Sequence, residues 1–386
     1  MKYAIRSSIP FLFAFLLFSV GRAADGDEGA RTKSFTVAKG GNLEVSTGVG
    51  DIQINPWDKN EVRVSVEGID DEDLDRLKMT QSDNSIHVSY RPKWRYNGGG
   101  DVRFEIDVPS QFNVDLKTSG GSLEVSGTLT GKLTGTTAGG DIKLKNIVGP
   151  VEMSTSGGNI EAGDIKGDGY LKTSGGDIQL GTVSGEVDVS TSGGEIRVDK
   201  VGKALTARTS GGDIVVGDVG GEARVSTAGG DIKMGRVSGR VDMSTAGGGI
   251  DLKGATGTVS ARTAGGDIRI KDVSGSIDAK TAGGEVDAEL IPSGRGESQL
   301  ESAGGMIRLA IPENAKATIE ARIRIEDRWG RGSDRYKIRS DFKADSYEKD
   351  EDAGEIRAVY KLNGGGDTVS LETVNSDIEI KKLSGH

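Results

Sequence analysis

Residues 229–246 read GGDIKMGRVSGRVDMSTA, and this stretch decides the fold. After the two glycines, Ile232 and Met234 alternate with Asp231 and Lys233, the pattern of a half-buried strand. Val237 and a turn at Ser238-Gly239 follow, and then Val241, Met243 and Thr245 alternate with Arg240, Asp242 and Ser244. The unit is two short strands and two tight turns, and a helical period of 3.6 fits nowhere. It recurs. The first glycines of successive pairs are Gly157, Gly175, Gly193, Gly211, Gly229, Gly247, Gly265 and Gly283, each eighteen residues after the last. Gly139 and Gly120 precede them at spacings of eighteen and nineteen, and Gly304 follows at twenty-one. A fixed period of this length predicts a stacked repeat in which each unit touches mainly its neighbours.

Stacking brings like residues into columns. Two positions after the second glycine stand Leu123, Ile142, Ile160, Ile178, Ile196, Ile214, Ile232, Ile250, Ile268, Val286 and Ile307, aliphatic without exception. This column is the expected inner rail of a continuous core. Two positions before the first glycine stand Thr118, Thr137, Thr155, Thr173, Thr191, Thr209, Thr227, Thr245, Thr263 and Thr281, then Ser302. Alternation points these hydroxyls inward or into a corner, where stacked threonines are expected to satisfy one another along the fibre direction.

The chain holds 61 glycines in 386 residues, against an average usage of about 7%. Because the excess is periodic, it reads as corner chemistry and not as a disordered tract. A Cβ at such a corner would need positive φ or would crowd the coil below. The expected architecture is therefore all-β: a parallel β-helix, or β-solenoid, of about eighteen residues per coil with irregular β-rich caps at both ends. Layers about 4.8 Å apart would make eleven coils a rod of roughly 50 Å. The aliphatics sit at unequal offsets and obey no six-residue rule, and parallel crossovers are overwhelmingly right-handed. A right-handed coil is expected.

Residues 1–23 read as a secretory leader: Lys2 and Arg6 open it, residues 9–20 are apolar, and Gly21-Arg22-Ala23 offers small residues around a cut. The apolar run of about twelve residues is short for a bilayer span, so no transmembrane segment is expected once the leader is removed. Removal of Lys2, Arg6 and Arg22 moves the net charge from −10 to −13, which argues against nucleic acid as a partner. The chain has no cysteine, hence no disulfide and no lipidated cysteine. Residues 24–115 are β-rich but aperiodic and form an expected N-terminal cap region. Residues 116–310 are the solenoid, and residues 311–386 an expected C-terminal cap region that closes on a last repeat-like turn, Thr373-Val374-Asn375-Ser376-Asp377-Ile378. In the first cap, Asp70 to Asp73 suit a helical start, and Leu77–Met79 with Ile86–Tyr90 suggest a hairpin around Ser82-Asp83-Asn84.

The array of T-[SA]-G-G-[DE]-I turns, together with Phe35-Thr36-Val37, the strand Asn60-Glu61-Val62-Arg63-Val64, the lead-in Val108-Pro109-Ser110 and the closing N-S-D-I-E-I, resembles the bacterial putative-adhesin domain family of unknown function, related to pectate-lyase-like β-helices. The resemblance covers nearly all of the chain beyond the leader. It implies a right-handed β-solenoid exported to the envelope, and it carries over no catalytic residue.

Three features could hold chemistry. The first is the acidic column after the glycines, in which Asp177, Asp213, Asp231 and Asp267 are candidate calcium ligands. Calcium-binding repeats use GGxGxD twice per eighteen residues, whereas this chain has Gly-Gly-Asp once. The alternative is that each Asp caps its own turn on a nearby backbone N–H. The second is a polysaccharide-cleaving groove, which needs clustered acids in a cleft walled by long loops. Here both turns of each coil are short and the lateral faces are expected to be smooth. The third is a pair of basic and aromatic clusters flanking the array. Arg91, Lys93, Trp94, Arg95 and Tyr96 form one, and Arg322, Arg324, Arg328, Trp329, Arg331, Arg335 and Tyr336 the other. Trp94, Arg95, Tyr96, Arg328, Trp329 and Arg331 have the composition of an interaction surface. The alternative is that they cover the ends of the core. His87 and His386 are the only histidines, one on an expected strand of the N-terminal region and the other the last residue, and a solvent-facing or half-packed histidine is expected instead of a triad or a His-rich metal site. The threonine column lacks the outward T-x-T pattern of an ice-binding face.

These residues lead to the expectation of an exported, non-enzymatic β-solenoid in the periplasm, at the cell surface or secreted. It would serve as an envelope scaffold or adhesin-like surface with no cofactor, for an envelope protein or a surface glycan. A polysaccharide-active lyase or hydrolase and a calcium-binding repeat protein are the competing readings.

Overall fold

The computed structural model describes residues 31–93, 102–294, 296–326 and 335–383. Each repeat supplies one strand to each of two sheets: in the repeat quoted above, Ile232–Val237 to the first and Val241–Ser244 to the second. Like strands pair in parallel and in register. Ile214, Ile232, Ile250 and Ile268 are direct neighbours in the first sheet, and Ala223, Val241 and Val259 in the second. Ile232, Met234, Val237, Val241 and Met243 are all buried, and one apolar core runs between the sheets from end to end. The chain is a β-solenoid.

The aliphatic column is longer than the periodic sequence. Ile52 pairs with Leu123 and with Phe104 at one end, and Ile307 pairs with Ile378, which pairs with Ile338, at the other. Fifteen rungs, from Phe104 to Ile338, make a column of roughly 70 Å instead of the 50 Å expected. Both aperiodic regions thus add coils, stacked out of sequence order. At three of the four sheet edges the pairing turns antiparallel, Arg31–Thr36 with Glu61–Glu67, Leu77–Ser82 with Ser85–Tyr90, and Ser346–Asp350 with Glu355–Leu362, while Ile338–Ser340 ends the first sheet in parallel among the described residues. Charged Arg31, Lys33, Glu348 and Asp350 on those outermost strands oppose edge-to-edge growth. The expected hairpin is present with Asp83 in the left-handed region (φ 52), and the acidic helical start is a 3-10 turn, Asp71–Arg76.

The corner chemistry differs from expectation in two respects. No glycine of a repeat pair has positive φ; crowding alone demands glycine, and only at the second of the two. A Cβ on Gly176 would land on the carbonyl oxygen of Gly158, closer than real Cβ atoms approach, whereas one on Gly175 would lie 3.3 Å from that of Gly157. The threonines are buried as expected, but they do not bond one another. Each donates to the second-glycine carbonyl of the preceding coil: Thr155 to Gly140 at 2.9 Å, Thr173 to Gly158 at 2.8 Å, Thr191 to Gly176 at 2.8 Å. The corner carbonyl of the neighbouring coil, and not the next hydroxyl, satisfies each buried threonine. Out of sequence order the rule holds too, with Thr118 on Gly50 at 3.0 Å and Thr373 on Gly305 at 2.8 Å.

Candidate functional site

Alternation in the second sheet sends every other side chain outward, and stacking lines these into a row. In register order it runs His87, Glu44, Asp115, Thr134, Glu152, Tyr170, Asp188, Thr206, Arg224, Asp242, Ser260 and Asp278. The face bearing this row is not smooth. Three open hollows follow one another along it. The central one, about 480 Å³, surrounds Tyr170; it shares Lys132 with a hollow beside His87 and Asp115, and Arg224 with a third beside Arg208 and Ser244. Together they form a shallow trough parallel to the solenoid axis. Its walls are side chains of unequal length, Ala204 and Thr206 beside Glu186 and Arg224, and not the long loops expected to be needed.

Tyr170 is the single aromatic residue between positions 116 and 310, and it is 46% exposed. Glu152 and Asp188 stand on the rungs directly above and below it, and Asp168 and Glu186 line the same hollow. Asp188 lies 3.7 Å from Arg208 and Arg224 pairs with Glu222 at 3.1 Å. Asp168 Oδ1 accepts the Glu186 backbone N–H at 2.9 Å. Among the described residues Glu152, Asp168 and Glu186 enter no ion pair, so the middle of the trough carries unbalanced negative charge. Nearer the end, His87 Nδ1 lies 3.1 Å from Glu44, and Lys117 pairs with Asp115 at 2.6 Å, a hydrogen bond that holds the Lys117 ammonium above its usual range.

The candidate calcium ligands do not bond as the capping reading expected. Asp177, Asp213, Asp231 and Asp267 stand at the Gly-Gly corner, away from the trough. Each Oδ1 accepts a backbone N–H from the next coil: Glu195 at 2.8 Å, Asp231 at 2.8 Å, Gly249 at 2.8 Å and Glu285 at 2.9 Å. The bond therefore ties coil to coil and does not cap the residue's own turn, because the rung spacing brings the next N–H within reach of the carboxylate. Asp267 also pairs with Arg269 at 2.7 Å. No group of three or more acidic or histidine side chains is close enough to hold a metal among the described residues.

Trp94, Arg95, Tyr96, Arg328, Trp329, Arg331 and His386 lie outside the described residues. The described residues on either side of the two clusters hold equivalent register positions. Tyr90 stands at the threonine position beside Thr47 and Phe104 at the isoleucine position beside Ile52, while Ile323 pairs with Thr373 and Ile338 with Ile378. Tyr170 was missed by reasoning from clusters. Its signal was isolation: an aromatic at an outward position of an otherwise aromatic-free array.

The sequence model of the Toastrack DUF4097 family matches residues 41–217 and again 203–381. No curated protein matches the chain. Among solved structures, a putative adhesin from Parabacteroides distasonis ATCC 8503 is 13% identical over 74% of this chain and 98% of its own, with a TM-score of 0.30. One from Parabacteroides merdae ATCC 43184 is 13% identical over 66% and 97%, with a TM-score of 0.30. A third, from Bacteroides fragilis NCTC 9343, is 12% identical over 92% and 98%, with a TM-score of 0.27.

Proposed function

The chain belongs to the Toastrack DUF4097 family, and we propose that it acts as an exported, non-enzymatic β-solenoid, an envelope scaffold that presents an adhesin-like interaction surface. The trough carries this reading: one face of the rod is hollowed continuously across many coils and lined by polar and charged side chains around a single exposed tyrosine. A surface of this kind suits extended or multivalent contact with a polymer or an envelope protein better than it suits one reaction centre. Export rests on residues 1–23, which have the charge and apolar pattern of a leader. Glycan cleavage would call for a carboxyl group shielded enough to keep a proton, whereas Glu152, Asp168 and Glu186 are exposed.

Sedimentation of the purified protein with envelope preparations from the producing cell tests the proposal, alongside incubation with a panel of neutral and anionic polysaccharides. Co-sedimentation without release of reducing or unsaturated ends is the expected result. Catalytic release of such ends, or a protein that stays in the supernatant, would overturn it.

A further inference from the structure

The trough also indicates what it binds. Resting on the reading of this face as the interaction surface, we infer that its occupant is a linear polysaccharide carrying unblocked amino groups, seated along the axis with one sugar ring against Tyr170. Three observations converge on that chemistry.

First, Tyr170 is 46% exposed and is the single aromatic residue lining its hollow, among charged side chains and the small or aliphatic Pro150, Ala204 and Thr206. An aromatic ring offers an apolar plane with a wet polar tip, which matches a pyranose, apolar on its C–H face and polar at its rim. Second, carboxylates outnumber basic groups in the hollow, with Glu152, Asp168, Glu186 and Asp188 set against Lys132 and Arg224. Glu152 and Asp188 bracket the ring on adjacent rungs, Asp168 and Glu186 flank it, and only Asp188 has a basic partner among the described residues. Carboxylates accept from ammonium and hydroxyl donors alike, and they repel a uronic-acid chain. Third, the rungs are about 4.8 Å apart. In an extended β-1,4-linked glycan each sugar advances the chain by close to one rung, so successive rings meet successive rows. An extended peptide advances about 3.4 Å per residue and falls out of step with the same rows.

The open ends of the hollow allow a polymer to enter anywhere along its length. Lys132 and Arg224, at the junctions with the neighbouring hollows, limit the acidic stretch to the coils around Tyr170. Recognition is therefore centred on those coils.

Calorimetric titration of the full chain with three hexasaccharides tests the inference: glucosamine, glucose and galacturonic acid. The glucosamine hexamer is expected to bind, more weakly as salt is raised, and at least tenfold more tightly than the other two. Tyr170→Ala should lower its affinity tenfold or more, Tyr170→Trp should retain it, and Glu152→Gln with Glu186→Gln should weaken it at low salt. Asp251→Asn with Asp287→Asn, on the outer face of the first sheet, should leave it unchanged. Equal binding of the glucose or galacturonate hexamer would overturn the inference, as would a Tyr170→Ala protein that binds normally. Equal loss from the first-sheet variant would also overturn it, reducing the effect to diffuse attraction by an acidic protein. The envelope sedimentation assay separates the two levels. If the chain sediments while no glucosamine hexamer binds, the glycan assignment falls and the interaction-surface reading stands; if it neither sediments nor binds, both fall.

Discussion

Thr173 donates its hydroxyl hydrogen to the carbonyl oxygen of Gly158, one coil away, at 2.8 Å, and the same oxygen of Thr173 accepts the Gly176 N–H at 3.4 Å. A single buried hydroxyl thus closes its own corner and fastens it to the corner beneath. Thr173→Val keeps the shape and removes both bonds, leaving a carbonyl and an N–H poorly satisfied in the interior. A loss of about 1–3 kcal/mol is expected, read as a lower urea midpoint, and Thr173→Ser should recover much of it.

The two glycines of one pair should differ sharply. In Gly176→Ala the new methyl must displace the Gly158 carbonyl, which Thr173 already holds, and backbone cannot yield cheaply. A destabilisation of about 2 kcal/mol or more is expected. Gly175→Ala, with 3.3 Å to the nearest oxygen, should fall within about 1 kcal/mol of the parent protein. Thermal or urea unfolding of the two variants side by side makes the comparison.

The acidic corner column should prove indifferent to charge and sensitive to shape. Asn159 already occupies one position of it, and its Oδ1 accepts the Asp177 N–H at 2.8 Å, as the aspartates do for their own neighbours. Asp231→Asn should therefore be nearly neutral, while Asp231→Ala should cost about 1 kcal/mol for the lost acceptor. Chelator should leave the Tm unchanged, and a fall of many degrees would restore calcium as a ligand of this column.

Alkaline stability should depend on Tyr360, buried in the C-terminal cap. Burial raises its phenol above the ordinary value near 10, with a hydrogen bond from Ser340 pulling the other way. A raised folded value means that its contribution is whole below pH about 10 and is lost as pH rises through that folded value. Lys117 acts in the same direction, but it is present in both proteins compared. Tyr360→Phe should flatten the fall in urea midpoint above pH about 10, and an unaltered fall would remove Tyr360 as a cause.

Inward positions were legible because every repeat poses the same packing problem. Ile232 and its ten equivalents must fill the same space, so the eighteen-residue period, the strands, the aliphatic column and the need for glycine at the corner all follow from the sequence. Burial punishes each departure, and the pattern stays clean. Outward positions are under no such rule. Nothing in the period distinguishes Tyr170 from Thr206 or Asp242, and the hollow around it exists only because Glu152, Asp188 and Glu186 arrive from other coils.

The sequence by itself determined a rod of stacked β-coils with an aliphatic interior, since periodic burial leaves one solution. Only the tertiary structure decided that Thr173 reaches for a glycine carbonyl instead of another threonine, and that Ile52 stands between Phe104 and Leu123. It also decided which face is hollowed. Each of these depends on distances between coils, which alternation along one strand does not encode.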